Sequence, residues 1–201
     1  FVSNADGITN KGFEVELYYA ATERLTLSGN FSYTETEYGE DYFVFTVDDP
    51  INPVPVFGTF TQGFVSAQVT DPTQASDYTV NLKGGPLKGI PEEKATIRVS
   101  YEQDTRFGPL YYLLSHSYTG DFSASGIQRP LDRIDSRETT NLNISWFSQD
   151  GNLSVRAYID NLFDNDNYYA LSTGDHETNY RKSDTSLPPR VMGVDMRYRC
   201  L

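Results

Sequence analysis

The sequence predicts an all-β fold, an antiparallel transmembrane β-barrel fragment with short periplasmic turns and long extracellular loops. Segments in which apolar and polar residues alternate recur along the chain. Most are about as long as the ~9–11 residues that a tilted strand needs to cross a bilayer. The connections between these segments alternate between short and long. No proline falls inside a segment, as a ladder of backbone hydrogen bonds requires.

Two segments near the start predict a first hairpin. In KGFEVELYYAA and LTLSGNFSYTETEY alternate residues are apolar or aromatic, and a short turn joins the two segments. Because successive side chains of a strand point to opposite faces, each segment has one apolar face. Residues 39–92 hold six of the ten prolines and predict a long loop, a feature that is usually functional. Within it, DYFVFTV and GFVSAQV are candidates for two further strands.

Five more segments follow. They are KATIRVSYEQ, LYYLLSHSYTG, TTNLNISWFS, LSVRAYID and, from Val191, VMGVDMRYRCL. DTRFGP and QDGN are predicted to be short turns, the latter because Asp-Gly tolerates the positive φ of a tight hairpin. Residues 120–136 and about 163–188 form the second and third long loops. The chain therefore has seven clear strands and up to nine.

The two faces of the predicted strands differ in chemistry. In the last segment Met192, Val194 and Met196 alternate with Asp195 and Arg197, which predicts a lipid face and a lumen face. Tyrosines recur near strand ends, as in the aromatic belts at membrane interfaces: Tyr19, Tyr33, Tyr101, Tyr118 and Tyr198. The alternative is a soluble β-sheet whose apolar face covers a protein core.

Composition narrows the functional classes. The 201 residues carry a net charge of −12, which argues against a nucleic-acid partner, because phosphate binding needs clustered Lys and Arg. One cysteine, Cys200, excludes an internal disulfide framework. No apolar run is long enough for a transmembrane helix, and FVSNADGITNKG does not resemble a signal peptide. We therefore expect a fragment or a processed piece of a longer protein.

Two stretches resemble a known family. VRAYIDNLFDNDNYY resembles the penultimate-strand signature of TonB-dependent outer-membrane receptors, through Asn161, Leu162, Phe163 and Asp164. PPRVMGVDMRYRCL is similar to the last strand of that family, with matches that include Pro189, Arg190 and Tyr198. The family's last strand usually ends in Phe, whereas here Cys200 stands at that place, followed by Leu201.

The resemblance implies about seven to nine strands of a 22-strand barrel. Residues 1–201 would be the C-terminal portion, with the plug domain and the N-terminal barrel strands absent. The implied function is active transport across the outer membrane of a Gram-negative bacterium, most often of a ferric siderophore, with glycans, haem or cobalamin as alternatives. The implied partners are the TonB energising complex, acting through the missing plug, a siderophore or similar small ligand, outer-membrane lipid and the barrel-assembly machinery.

Aromatic and cationic loop residues are the candidate ligand-binding residues. Aromatic side chains stack on flat ligands, and guanidinium groups bind anionic chelates. The candidates are Tyr42, Phe43, Arg129, Arg133, Tyr168, Tyr169, His176 and Arg181. The alternative for each residue is an ordinary solvent-exposed loop side chain that binds no ligand.

No catalytic or metal motif accompanies these residues. No pair of histidines has zinc-ligand spacing, and DNLFDNDNYY lacks the central Gly and distal Glu of a calcium loop. The sequence thus predicts neither an enzyme nor a resident cofactor. Two other classes stay open: a small outer-membrane barrel that acts as an adhesin or structural protein, and a soluble β-sandwich that binds glycans.

Overall fold

The computed structural model describes residues 7–45, 79–126, 130–173 and 182–200. These residues form strands and one 3₁₀ turn at Pro130–Asp132. No helix within these ranges is long and apolar enough to cross a membrane. The strands are β1 (Ile8–Ala20), β2 (Leu25–Tyr38), β3 (Phe43–Phe45), β4 (Thr79–Asn81), β5 (Glu93–Gln103), β6 (Leu110–Thr119), β7 (Phe122–Ser123), β8 (Arg133–Ile134), β9 (Arg137–Phe147), β10 (Leu153–Asp160), β11 (Tyr168–Thr173), β12 (Lys182–Ser186) and β13 (Val191–Tyr198).

The seven longest strands form one antiparallel sheet in the order β1-β2-β5-β6-β9-β10-β13. All seven predicted strands are therefore confirmed. Short connections lie at one end of the sheet, which we call the turn side. Three long connections lie at the other end, the loop side: loop 1 (residues 39–92), loop 2 (120–136) and loop 3 (161–190). The predicted alternation of short and long connections is thus present.

Each long loop contains a small hairpin. β3 pairs with β4 in loop 1, β7 with β8 in loop 2 and β11 with β12 in loop 3. The predicted strand DYFVFTV is present in part as β3, whereas GFVSAQV lies outside the described residues. The other hairpin strands were not predicted, because they are too short to show a period in the sequence.

The pairing register places the apolar residues of all seven strands on one face. Directly paired residues of neighbouring strands point to the same side of a sheet. One such row crosses six strands and is apolar or aromatic throughout: Leu25, Tyr101, Tyr112, Ile144, Ala157 and Val194. We call this face the outer face and the opposite one the lumen face.

The described residues form no layer over the outer face. Among the residues that the structure describes, the buried apolar side chains are Tyr38, Leu82 and Ile134, all toward the loop side. Val194, in the middle of β13, is 70% exposed. A β-sandwich buries one face of each sheet, so the described residues do not have the arrangement of the sandwich alternative. An apolar face without protein cover is suited to lipid.

Aromatic residues mark the turn-side border of the outer face. These aromatic residues are not all paired with one another. Going across the sheet from β1 to β13, they lie progressively closer to the turns. Trp146, for example, lies two residues beyond Ile144, the partner of Tyr112. A level girdle crosses tilted strands in this staggered way. The girdle consists of Tyr19, Tyr101, Tyr112, Trp146 and Tyr198.

Neighbouring turns on the turn side are joined to each other. Arg24 forms an ion pair with Asp104 of the next turn. The Gln149 side-chain amide donates a hydrogen bond of 2.8 Å to the Arg106 carbonyl. Gly108 lies against the backbone of Phe147, and its φ of +124° is one that residues with a side chain rarely adopt. These contacts therefore connect the short turns to one another along the turn side of the sheet.

We expect Gly108→Ala to destabilise the folded barrel by about 1–3 kcal/mol, because the added methyl group overlaps the Phe147 carbonyl oxygen and the backbone is strained. Gly151→Ala is the matched control. Gly151 also has a positive φ, +71°, but nothing lies within 4 Å of the added methyl group. Urea titration of the protein in lipid vesicles compares the two variants. Equal losses of stability would show that the backbone contact at Gly108 is unimportant.

Candidate ligand site on the loop side

The described parts of the three long loops contact one another. The Gly89 amide of loop 1 donates a hydrogen bond of 2.8 Å to the Ser123 carbonyl of loop 2. A methyl carbon of Leu82 lies close to Gly126, so loops 1 and 2 also meet through an apolar contact. Ile134 is almost fully buried and anchors loop 2. The loops thus form a small structured layer above the sheet.

Two clefts open in this layer, and Arg133 lines both. The first, of about 650 Å³, lies between loops 1 and 2. The second, of about 390 Å³, lies between loops 2 and 3. Its lining includes Arg133, Tyr168 and Lys182 together with three aspartates, Asp135, Asp166 and Asp184. The Arg133 guanidinium is 2.6 Å from a carboxylate oxygen of Asp121. The structure therefore brings together two of the predicted site residues, Arg133 and Tyr168.

The predicted candidates Tyr42 and Phe43 lie elsewhere, in the stem of loop 1. The Tyr42 ring stacks on Tyr38 with centroids 5.6 Å apart, and its backbone amide donates to the Asn81 side-chain oxygen at 3.1 Å. Phe43 is the first residue of β3 and pairs with Asn81 in β4. Tyr42 is not among the described residues that line the two clefts. Their contacts indicate a role in shaping loop 1.

Asp41 stabilises the same stem of loop 1 through a hydrogen bond and an ion pair. Its carboxylate accepts a hydrogen bond of 3.0 Å from the Asn81 side-chain amide and lies 3.2 Å from the Lys83 ammonium group. The Asn81 hydrogen bond first, and then the hydrogen bond and charge of Lys83, hold the pKa of Asp41 below its ordinary value of 3.8. These contacts favour the charged carboxylate.

The lowered pKa of Asp41 predicts a pH dependence of the loop 1 stem. The stabilisation is fully present above pH 3.8, the ordinary value, and is lost as the pH falls through the lower folded-state pKa. The chemical shift of the Asp41 carboxyl carbon, followed by NMR, measures this pKa. Lys83→Met is expected to move it back toward the ordinary value. The pKa of Asp150, lowered by the Ser148 hydroxyl and by Asn152, should not respond to that variant.

Three predicted candidates, Arg129, His176 and Arg181, lie outside the described residues. Among the residues that the structure does describe, no group of three or more His, Cys, Asp or Glu side chains is placed to hold a metal ion.

The Asn-Leu-Phe-Asp sequence forms a tight junction at the end of β10. Asn161 is 4% exposed and has a positive φ of 53°, a conformation that Asn tolerates better than most residues. Its side-chain amide donates hydrogen bonds to the carbonyls of Asn165 (2.8 Å) and Pro188 (2.9 Å). Its side-chain oxygen accepts from the Asn165 amide at 3.0 Å. Asn161 therefore joins the two ends of loop 3.

The remaining residues of this junction bind the start of the last strand. Asp164, also at a positive φ of 58°, accepts a hydrogen bond of 2.8 Å from the Arg190 backbone amide. The Leu162 carbonyl lies 3.5 Å from the Arg190 guanidinium. Phe163 and Pro189 are exposed at the surface, and Tyr198 belongs to the aromatic girdle of the outer face. These residues place β13 beside β10.

The structure also shows a candidate that the sequence analysis missed. Arg137 is the first residue of β9 and lies on the lumen face, paired with Thr119. Its guanidinium carbon is 5.5 Å from the ring centre of Phe122 in loop 2 and 5.2 Å from that of Tyr169 in loop 3. Tyr169, a predicted site residue, thus contacts an arginine. No local pattern predicts contacts between residues so far apart in the chain.

Comparison with known proteins identifies this architecture. The family described as "TonB dependent receptor-like, beta-barrel" matches residues 1–162. The ferric yersiniabactin uptake receptor of Yersinia pestis has a similar structure, with a TM-score of 0.67 and 16% identity over 95% of this chain and 23% of its own. The ferric preacinetobactin receptor of Acinetobacter baumannii gives a TM-score of 0.63 and 12% identity over 95% of this chain and 22% of its own.

A third similar structure is the siderophore receptor PiuA from Acinetobacter baumannii, with a TM-score of 0.62 and 15% identity over 94% of this chain and 21% of its own. No curated protein matches by sequence. The chain thus spans less than a quarter of the length of these receptors. The family match over residues 1–162 places the outer face in lipid and the loop side outside the cell. The chain belongs to the β-barrel domain family of TonB-dependent receptors, Gram-negative outer-membrane proteins that act in transport.

Proposed function

We propose that this chain is the C-terminal portion of a TonB-dependent receptor that imports a ferric siderophore. The chain supplies barrel wall and three extracellular loops, and the plug domain and N-terminal barrel strands belong to other parts of the protein. One observation carries the proposal: packing of the three loops creates two clefts with a shared guanidinium, that of Arg133. Such a surface suits a chelate that is too large for a porin.

Two side chains of the clefts suit this class of ligand, within linings that also carry six carboxylates: Glu92, Glu93, Asp121, Asp135, Asp166 and Asp184. Arg133 provides a cation for an anionic chelate, and Tyr168 provides a ring for a flat ligand group. The ion pair with Asp121 holds the Arg133 side chain in place at the shared border. The siderophore-receptor names of the similar structures agree with this proposal. Arg129, His176 and Arg181 are further candidates in the same loops.

Transport requires partners beyond this chain. The TonB complex would supply energy through the plug, and the barrel-assembly machinery would insert the barrel, in which lipid covers the outer face. The lumen face of the central strands is polar. One row across it reads Asn30, Thr96, Ser117 and Thr139, and other rows of the same face carry the charged residues Lys94, Arg98 and Glu102. In the proposed receptor these side chains would face the plug.

Uptake of radioactive iron tests the proposal. The full-length receptor is expressed in a strain that lacks its own siderophores and receptors, and a panel of ferric siderophores is supplied with and without a functional TonB system. We expect TonB-dependent uptake of at least one ferric chelate. We also expect Arg133→Gln to reduce its binding about tenfold, as for a lost charged hydrogen bond. Arg106→Gln, in a turn on the opposite side of the membrane, is the control.

The alternatives give different results in the same strain. Growth on a glycan, haem or cobalamin without ferric siderophore uptake would retain the family and overturn the ligand class. Cell attachment without TonB-dependent uptake of any of these compounds would indicate an adhesin and would overturn the transport proposal.

A further inference from the structure

Arg137 has an unusual environment at the loop end of the lumen face. The rings of Phe122 and Tyr169 lie 5.5 and 5.2 Å from its guanidinium carbon, within the range of cation–π attraction. The two rings come from different loops, so the guanidinium lies where loops 2 and 3 meet above the sheet. Arg106 and Arg156 each lie over one ring, that of Phe107 and that of Tyr158, whereas Arg137 lies between rings of two different loops. Four other arginines among the described residues form ion pairs with aspartates: Arg24, Arg133, Arg156 and Arg190.

One nitrogen of this guanidinium lacks an expected partner. The Arg137 Nη1 atom is buried and has no hydrogen-bond partner among the described residues. A guanidinium remains charged at any physiological pH and has only donors to offer. An N–H group that is removed from water and left without an acceptor costs free energy, more so when it is charged. An acceptor at the position that Nη1 faces would remove this cost.

Of the two rings that flank this guanidinium, that of Tyr169 is the more exposed. Tyr169 is 58% exposed and lies in β11, part of the two-stranded β11–β12 sheet that is separate from the barrel wall. Phe122, on the other side, is less exposed and lies in loop 2, which is anchored by the buried Ile134. Lifting the Tyr169 ring would expose Nη1 without disturbing the wall strand that carries Arg137.

We propose that Arg137 is a covered binding site for an oxyanion, a carboxylate or phosphate-like group, and that the Tyr169 ring is its cover. An incoming oxyanion displaces the ring and accepts the hydrogen bonds of the guanidinium, which is suited to planar anionic groups. Binding at this point separates the Tyr169 side of loop 3 from Arg137. The site thus couples the arrival of an anion to movement of an extracellular loop.

Titration with inorganic pyrophosphate tests this site in the full-length receptor, purified in detergent. Calorimetry compares wild type, Tyr169→Ala, and Tyr169→Ala combined with Arg137→Gln. We expect Tyr169→Ala to bind pyrophosphate about tenfold more tightly than wild type, because the competing ring is gone. Adding Arg137→Gln should remove that gain.

Two matched variants complete the design. Tyr169→Phe keeps the ring and should bind like wild type. Arg106→Gln in the Tyr169→Ala background removes another ring-stacked arginine, one that lies 4.4 Å from the Phe107 ring centre, and should leave the gain intact. Equal binding by Tyr169→Ala with and without Arg137 would overturn the inference, as would equal binding by Tyr169→Ala and wild type. The probe contains no iron, so a failure of ferric siderophore uptake would count against the proposed function alone.

Discussion

Leu142→Arg is expected to destabilise the folded receptor in a bilayer by about 2–4 kcal/mol, the cost of a cation on the lipid face of a barrel near its midplane. Leu142 lies on the outer face of β9, in the same row as Leu114 and Ile159. An arginine there faces acyl chains. Its head group cannot be hydrated unless the side chain bends toward an interface or the bilayer deforms.

Asn143→Arg is the matched control for this prediction. Asn143 is the next residue of the same strand and lies on the lumen face, opposite Leu113 and Tyr158. Unfolding in lipid vesicles, followed by the gel shift between folded and unfolded barrel, measures both variants. We expect the control to lose at most about 1 kcal/mol, as near a wet interface. A larger loss for Asn143→Arg than for Leu142→Arg would reverse the assignment of the two faces.

Asn161→Ala is expected to cost about 2–4 kcal/mol, because it removes several buried hydrogen bonds at once and leaves their partners unsatisfied. The carbonyls of Asn165 and Pro188 lose their donor, and the Asn165 amide loses its acceptor. Alanine is also strained at the positive φ of this position. We expect the start of β13 to detach first, which hydrogen exchange of the Arg190 amide would report.

Asn161→Gly separates the two causes. Glycine adopts the positive φ freely but makes none of the side-chain hydrogen bonds. If the hydrogen bonds dominate, the glycine variant loses nearly as much stability as the alanine variant. If the backbone conformation dominates, the glycine variant behaves like wild type, and the role assigned to the Asn161 side chain is wrong.

The wall of the barrel could be predicted from the sequence because its environment is regular. A strand between lipid and lumen must alternate, and a charge on the wrong face is costly, so Asp195 and Arg197 reveal the register of β13 directly. The pairs Arg156–Asp195 and Tyr158–Gly193 confirm it. The lengths of the connections revealed which end of the sheet carries the loops.

The loop layer could not be predicted in the same way. Arg137 meets Phe122 and Tyr169 only because two short hairpins fold back over the sheet, and neither hairpin has a sequence period. Resemblance identified the motif at Asn161, but its role emerged only from the hydrogen bonds across loop 3. Arg133 and Tyr168 were predicted as separate candidates, and the structure showed that they share a cleft.

The absence of protein above the outer face has a consequence for which substitutions that surface tolerates. In a globular interior, a truncated side chain leaves a hole that rigid neighbours fill poorly. Around this wall, fluid acyl chains flow into any such space, so Met196→Ala or Val194→Ala should alter stability little through packing. The size of a side chain on the outer face is thus loosely constrained, whereas its polarity is tightly constrained.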